Sequence, residues 1–123
     1  MTNYNDVVSQ LFFLPIKDFT GEYRGQACRD DLGTKIALSA SLNSRNKFCQ
    51  LSCRAFACPH IIAACNWLIE SLEDQPVKAL DDIDWNYLQE MLDIPTEKAG
   101  KLLILKDAII DLRSDIRYRA NLR

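Results

Sequence analysis

The chain has a single histidine, His60, and only four glycines. With Gly21, Gly25, Gly33 and Gly100 scattered along the sequence, no glycine-rich phosphate loop can be assembled, and a Cys-His dyad would depend on Cys58 and His60 alone. Hydrolysis, nucleotide binding and redox catalysis therefore find no support. No apolar run approaches the roughly 20 residues that a helix needs to cross a bilayer. The opening M-T-N-Y-N-D-V-V lacks the basic start and cleavage site of a secretory leader, so a cytoplasmic location is expected, with no membrane partner. There is no basic surplus either. The net charge is -2, with both signs interspersed, and this argues against a nucleic-acid surface, which needs a basic patch or stripe. Linkers, repeats and low-complexity segments are missing, so residues 1–123 are expected to form one domain, large enough to bury a core without disulfides or a structural metal.

Cysteine is what the chain does have. There are five, an odd number without the spacing of a secreted disulfide framework and without a paired C-x-x-C. In a reducing compartment they are read as thiols or ligands. Cys58 stands out in F-A-C-P-H-I-I-A-A-C. Pro59 fits the first turn of a helix, where its missing N-H costs nothing, and Ile61, Cys65, Leu68 and Leu72 follow at helical spacing. Cys58 is then the N-cap, beside unpaired N-H groups and the positive end of the helix dipole, which favour a thiolate. It is either reactive sulfur, a metal ligand or a small packing residue.

The remaining elements follow from periodicity. Asp6 to Phe13 reads as a short helix stopped by Pro15. From Phe19 to Phe56 the pattern is extended, in three runs, F-T-G-E-Y-R-G, T-K-I-A-L-S-A-S-L and K-F-C-Q-L-S-C-R-A-F, with S-L-N-S-R-N as a hairpin connection between the last two. Alternation puts Cys49, Leu51, Cys53 and Ala55 on one strand face, so Cys49 and Cys53 are expected to be buried packing residues, and Cys65 joins them on the apolar stripe of the helix. A second helix is capped by Asp82 or Asp84 and ends at Ile94-Pro95. The last helix carries Leu102, Leu105, Ile109, Leu112 and Ile116 as a core-facing stripe, with Arg113, Arg117, Arg119 and Arg123 toward its C-terminus, where cations are favoured. The expected fold is α+β: a three-stranded antiparallel sheet with one face covered by the helices that start near Pro59 and Glu97.

This order of elements, with G-Q-A-C-R-D in the first third and F-A-C-P-H-I-I-A-A before the long helix, resembles the IscU/NifU family of iron-sulfur cluster assembly scaffolds. The first motif is similar to the family's G-x-x-A-C-G-D loop and the second to its Y-G-C-G-S-A-I-A-S. The N-terminal Y-N-D-V-V-S-Q-L-F-F-L-P looks like the family's first helix, and I-P-T-E-K-A-G-K looks like its L-P-P-V-K-I-H-C segment. The resemblance implies that Cys28 and Cys58 take the places of two cluster cysteines and Asp30 that of the aspartate beside the first. It implies an IscU/SufE-like fold, and a cysteine desulfurase, a chaperone and acceptor apoproteins as partners. The chain diverges at the last motif: the family's histidine and third cysteine fall on Gly100 and Lys101, and Thr96 and Glu97 replace a proline and a valine.

A cluster or Zn²⁺ needs about four soft or borderline donors. Cys28, Asp30 and Cys58 supply three, and His60 is a candidate fourth, set against the plainer reading of a solvated first-turn histidine. Lys101 cannot be a ligand while protonated; its charge would stabilise a thiolate or persulfide on Cys58. Three functions are expected from this set. One is a scaffold-like protein, not an enzyme, holding a transient iron-sulfur cluster or a metal. Another is a SufE-like persulfide acceptor centred on Cys58. The last is an interaction protein that kept the fold and lost the chemistry.

Overall fold

A computed structural model describes residues 6–8 and 18–120. Residues 6–8 are helical and Val8 is fully buried; the rest of the expected first helix, its stop at Pro15 and Arg123 lie outside the described residues. Three strands form one antiparallel sheet in the order β1-β2-β3: β1 (Tyr23–Arg29), β2 (Thr34–Leu42) and β3 (Phe48–Phe56). The helices are α1 (Pro59–Leu72), α2 (Trp85–Met91) and α3 (Ala99–Arg119), with short 3-10 turns at Asp30–Leu32, Val77–Asp81 and Thr96–Lys98. The α+β architecture read from the sequence is the one observed.

Strict period-2 alternation makes β2 two-sided: Ile36, Leu38 and Ala40 point into the core, while Lys35, Ala37, Ser39 and Ser41 point away. The buried stripe of α3, Leu102, Leu105, Ile109, Leu112 and Ile116, covers the core side of β1 and β2, and α1 packs its Ile61, Leu68 and Leu72 beneath β3. Gly25 is where β1 meets α3. A Cβ there would stand 2.4 Å from the backbone N of Leu112 and 2.5 Å from the carbonyl of Ala108, so only glycine permits this approach. As an edge strand, β1 has backbone donors with no strand to pair with. Two carboxylates of α3 accept them: Arg24 N donates to Asp115 Oδ2 and Gln26 N to Asp111 Oδ2, both at 2.8 Å.

On the opposite side of the sheet, residues 18–22 cross its lower half. Gly21 N donates to Ser39 Oγ at 3.3 Å and Glu22 N to Ser41 Oγ at 3.2 Å, and buried Ser39 and Ser52 share a 2.6 Å hydrogen bond. Phe19 lies against the guanidinium groups of Arg24 and Arg54, at 4.4 and 4.8 Å. Among the described residues, none covers the upper half, toward Cys28, Lys35 and Phe56.

The alternation rule fails at Cys49, which is exposed rather than buried. Phe48 pairs with Leu42 and Gln50 with Ser41, leaving Cys49 as the extra residue of a bulge. That bulge lets Phe48 and Leu51 both reach the core. Cys53 is half-buried and Cys65 fully buried, as the packing reading requires. The Cys53 thiol and the burial together push the Cys65 thiol well up from its ordinary value.

Candidate functional site

Cross-strand register brings the candidate residues to one end of the sheet. Cys28 pairs with Lys35, which pairs with Phe56, and Cys58 follows two residues later. Two interstrand spacings of about 4.8 Å put the Cys28 and Phe56 backbones about 10 Å apart. The N-terminus of α3 reaches the same end, because α3 runs antiparallel to β1, from Asp115 beside Arg24 to Asp111 beside Gln26.

Cys28 belongs to strand β1 and not to the loop expected after it, since pairing with β2 extends the strand to Arg29. Its side chain faces the open side of the sheet, away from the helices. The exposed thiol donates to Asp30 Oδ1 at 3.2 Å. That hydrogen bond, then desolvation and the carboxylate's charge, raises the Cys28 thiol above its ordinary value, against the opposing charge of Lys35. Asp30 thus holds the proton on the sulfur until something displaces it. Its neighbour Asp31 is held below the usual carboxylate range by Arg29, which it pairs at 2.8 Å.

Cys58 is the N-cap of α1, with extended backbone, and Pro59 opens the helix as the sequence predicts. The first amides of the helix are not left to the sulfur: Ile61 N and Ile62 N both donate to the Cys58 carbonyl, at 3.0 and 3.1 Å, and the thiol makes no capping bond. The Cys58 side chain is half-buried, its body against the core.

His60 corrects the picture of a solvated first-turn histidine, being only 6% exposed. Burial and the charge of Lys98 lower its pKa, while Asp93 acts the other way, so His60 favours the neutral imidazole. Lys101 is half-buried in the first turn of α3, and the charge of Lys98 acts on His60. Lys98 was not singled out in the sequence; it ends the 3-10 turn Thr96–Lys98, far from His60 along the chain.

The structure therefore brings together Cys28 with Asp30, and Cys58 with His60 on one helical turn. Among the described residues, no three His, Cys, Asp or Glu side chains stand grouped as they would to hold a metal ion. No helix of the described chain is long and apolar enough to cross a membrane.

No protein-family model matches the sequence, and no curated protein matches it. The fold is similar to that of a solved Fervidobacterium islandicum protein assigned as an iron-sulfur cluster assembly scaffold for the SUF system, SufU. The two share 13% sequence identity over 89% of this chain and 96% of that one, with a TM-score of 0.67.

Proposed function

We propose that this chain acts in iron-sulfur cluster assembly, as a scaffold-like binding protein rather than an enzyme, carrying a transient cluster or its iron as cargo on Cys28, Asp30 and Cys58. The observation that supports this reading is a fold similar to that of a SufU scaffold, with Cys28 near the end of β1 and Cys58 at the α1 N-terminus, both toward one end of the sheet. Asp30 contributes in two ways. It receives the proton that Cys28 must lose to become a thiolate donor, and once moved aside it offers a carboxylate oxygen of its own. The buried His60, neutral at physiological pH, is a further donor if its turn opens. Cargo would come from a cysteine desulfurase and pass to acceptor apoproteins.

A second reading, sulfur carriage, is favoured by the ungrouped donors. In it the Cys58 thiolate attacks the outer sulfur of a desulfurase persulfide. The S–S bond breaks, its electron pair leaves on the desulfurase cysteine, and the outer sulfur stays on Cys58. One experiment separates the two. The protein is incubated without air with a cysteine desulfurase and cysteine, with and without ferrous iron, beside Cys28→Ser and Cys58→Ser. The scaffold reading expects bound iron and sulfide only with iron present, lost in both variants. Sulfur carriage expects one extra sulfur on Cys58 without iron, unaffected by Cys28→Ser. Neither iron nor sulfur on the wild-type protein would leave an interaction protein that has lost the chemistry.

A further inference from the structure

We propose that the open face of the sheet beside Cys28 binds a small thiol bearing two carboxylates, with the carboxylates on Lys35 and Arg54 and the sulfur beside the Cys28 thiol. The site is a shallow cavity of about 690 Å³, within the range of ligand pockets. It is built by cross-strand rows. Gln26, Ala37 and Arg54 form one and Cys28, Lys35 and Phe56 the next, all directed away from the helices. Ala37 is the small residue at the centre, so the longer side chains around it make walls and Ala37 the floor.

The charge of this cavity is set apart from that of the rest of the molecule. The chain is net negative, yet the cavity lining holds two cations and no acid, the Asp30 carboxylate standing at its edge on the Cys28 thiol. Three of the other arginines are matched internally: Arg29 with Asp31, Arg113 with Asp81 and Arg119 with Asp115. Lys35 and Arg54 have no carboxylate partner among the described residues; Arg54 instead stacks on Phe19, which fixes its guanidinium over the sheet. Two unmatched cations on a concave surface focus positive potential there.

Their spacing selects the ligand. Lys35 and Arg54 are diagonal neighbours on adjacent strands, about 7–8 Å apart at the backbone. That separation suits two carboxylates at the ends of one small molecule better than a single compact anion. Phe56, 76% exposed, offers an apolar wall for the stem between them. Cys28 is the direct cross-strand partner of Lys35, so a ligand anchored on the two cations carries its sulfur past Cys28. The inference deepens the cluster-assembly reading, to which the bound thiol would add a sulfur donor in a site whose own donors are few, but the binding itself needs neither iron nor desulfurase.

The test uses metal-free protein and three probes followed by titration calorimetry: reduced glutathione, S-methylglutathione and cysteamine. Glutathione and S-methylglutathione are expected to bind alike, more weakly as salt is raised, and S-methylglutathione is expected to slow alkylation of Cys28. Cysteamine, a thiol without carboxylates, is expected not to bind. Lys35→Glu with Arg54→Glu should weaken both peptides about tenfold or more, and Lys78→Glu, remote from the cavity, should leave them unchanged. Binding that survives the double reversal, cysteamine binding as tightly as glutathione, or no binding of glutathione at all overturns the inference. That last result leaves cluster assembly standing, and a failed cluster reconstitution leaves the glutathione result standing.

Discussion

Replacing Gly25 by alanine should separate the strand that carries Cys28 from the helix that supports it. The added Cβ would lie 2.4, 2.5 and 2.6 Å from the backbone N of Leu112, the carbonyl of Ala108 and the Cβ of Leu112. Ordinary carbon contacts begin near 3.5 Å, so β1 and α3 must move apart by about 1 Å. Neither side can yield by turning a side chain, because two of the three atoms are helix backbone. Overpacking of this kind costs about 1–3 kcal/mol. The shift also stretches the 2.8 Å bonds from Arg24 N and Gln26 N to Asp115 and Asp111, which adds about 1 kcal/mol or more at this exposed edge. A total loss of about 2–4 kcal/mol is expected. Urea unfolding followed by fluorescence of Trp67 and Trp85 measures it. Gly100→Ala is the control: nothing lies within 4 Å of its Cβ, and replacing a helical glycine should hold or raise stability by up to about 1 kcal/mol. If Gly25→Ala unfolds within about 0.5 kcal/mol of the parent, β1 does not approach α3 as described.

Asp30→Asn should make Cys28 more reactive, because the carboxylate that holds the thiol proton is gone; peptide mapping after brief iodoacetamide treatment near pH 8 is expected to show faster labelling of Cys28, and an unchanged rate would remove Asp30 from its control. His60 predicts a pH dependence. Its pKa is lowered in the fold, so protons bind the unfolded chain more readily. The stability is complete above the unfolded value of about 6.5 and is lost as pH falls below it toward the folded value. The wild-type urea midpoint should therefore drop between pH 7 and 5, and His60→Gln should flatten that drop; equal slopes in the two proteins would contradict the burial of a neutral imidazole.

Local pattern carried much of this fold. The run T-K-I-A-L-S-A-S-L is β2 end to end, Cys58-Pro59 is the cap and first residue of α1, and Asp84 caps α2 by accepting from Tyr87 N. Alternation and capping are set by neighbours in the chain, so the sequence displays them. What it did not display depends on distant segments. The bulge that turns Cys49 outward arises from how β2 and β3 pair. Pairing with Lys35 draws Cys28 into a strand, and His60 is buried with the charges of the distant Asp93 and Lys98 acting on it. Of the site, the residue types at Cys28, Asp30 and Cys58 were legible; the direction in which Cys28 points, and so the basic cavity it lines, needed the register of three strands.

The two aspartates on α3 also act as a gauge of length. Alternate amides along an antiparallel strand recur about every 6.8 Å, and residues four apart on a helix about every 6.0 Å. The two scales agree closely enough for Asp115 and Asp111 to engage Arg24 and Gln26 together. Over one more step the mismatch doubles to about 1.6 Å, too much for a third straight hydrogen bond. Asp107, next in the series, acts on the side-chain charge of Arg29. The helix thus tethers the body of β1 and lets go of it at Cys28, so the strand end that carries the sulfur is held by β2 alone.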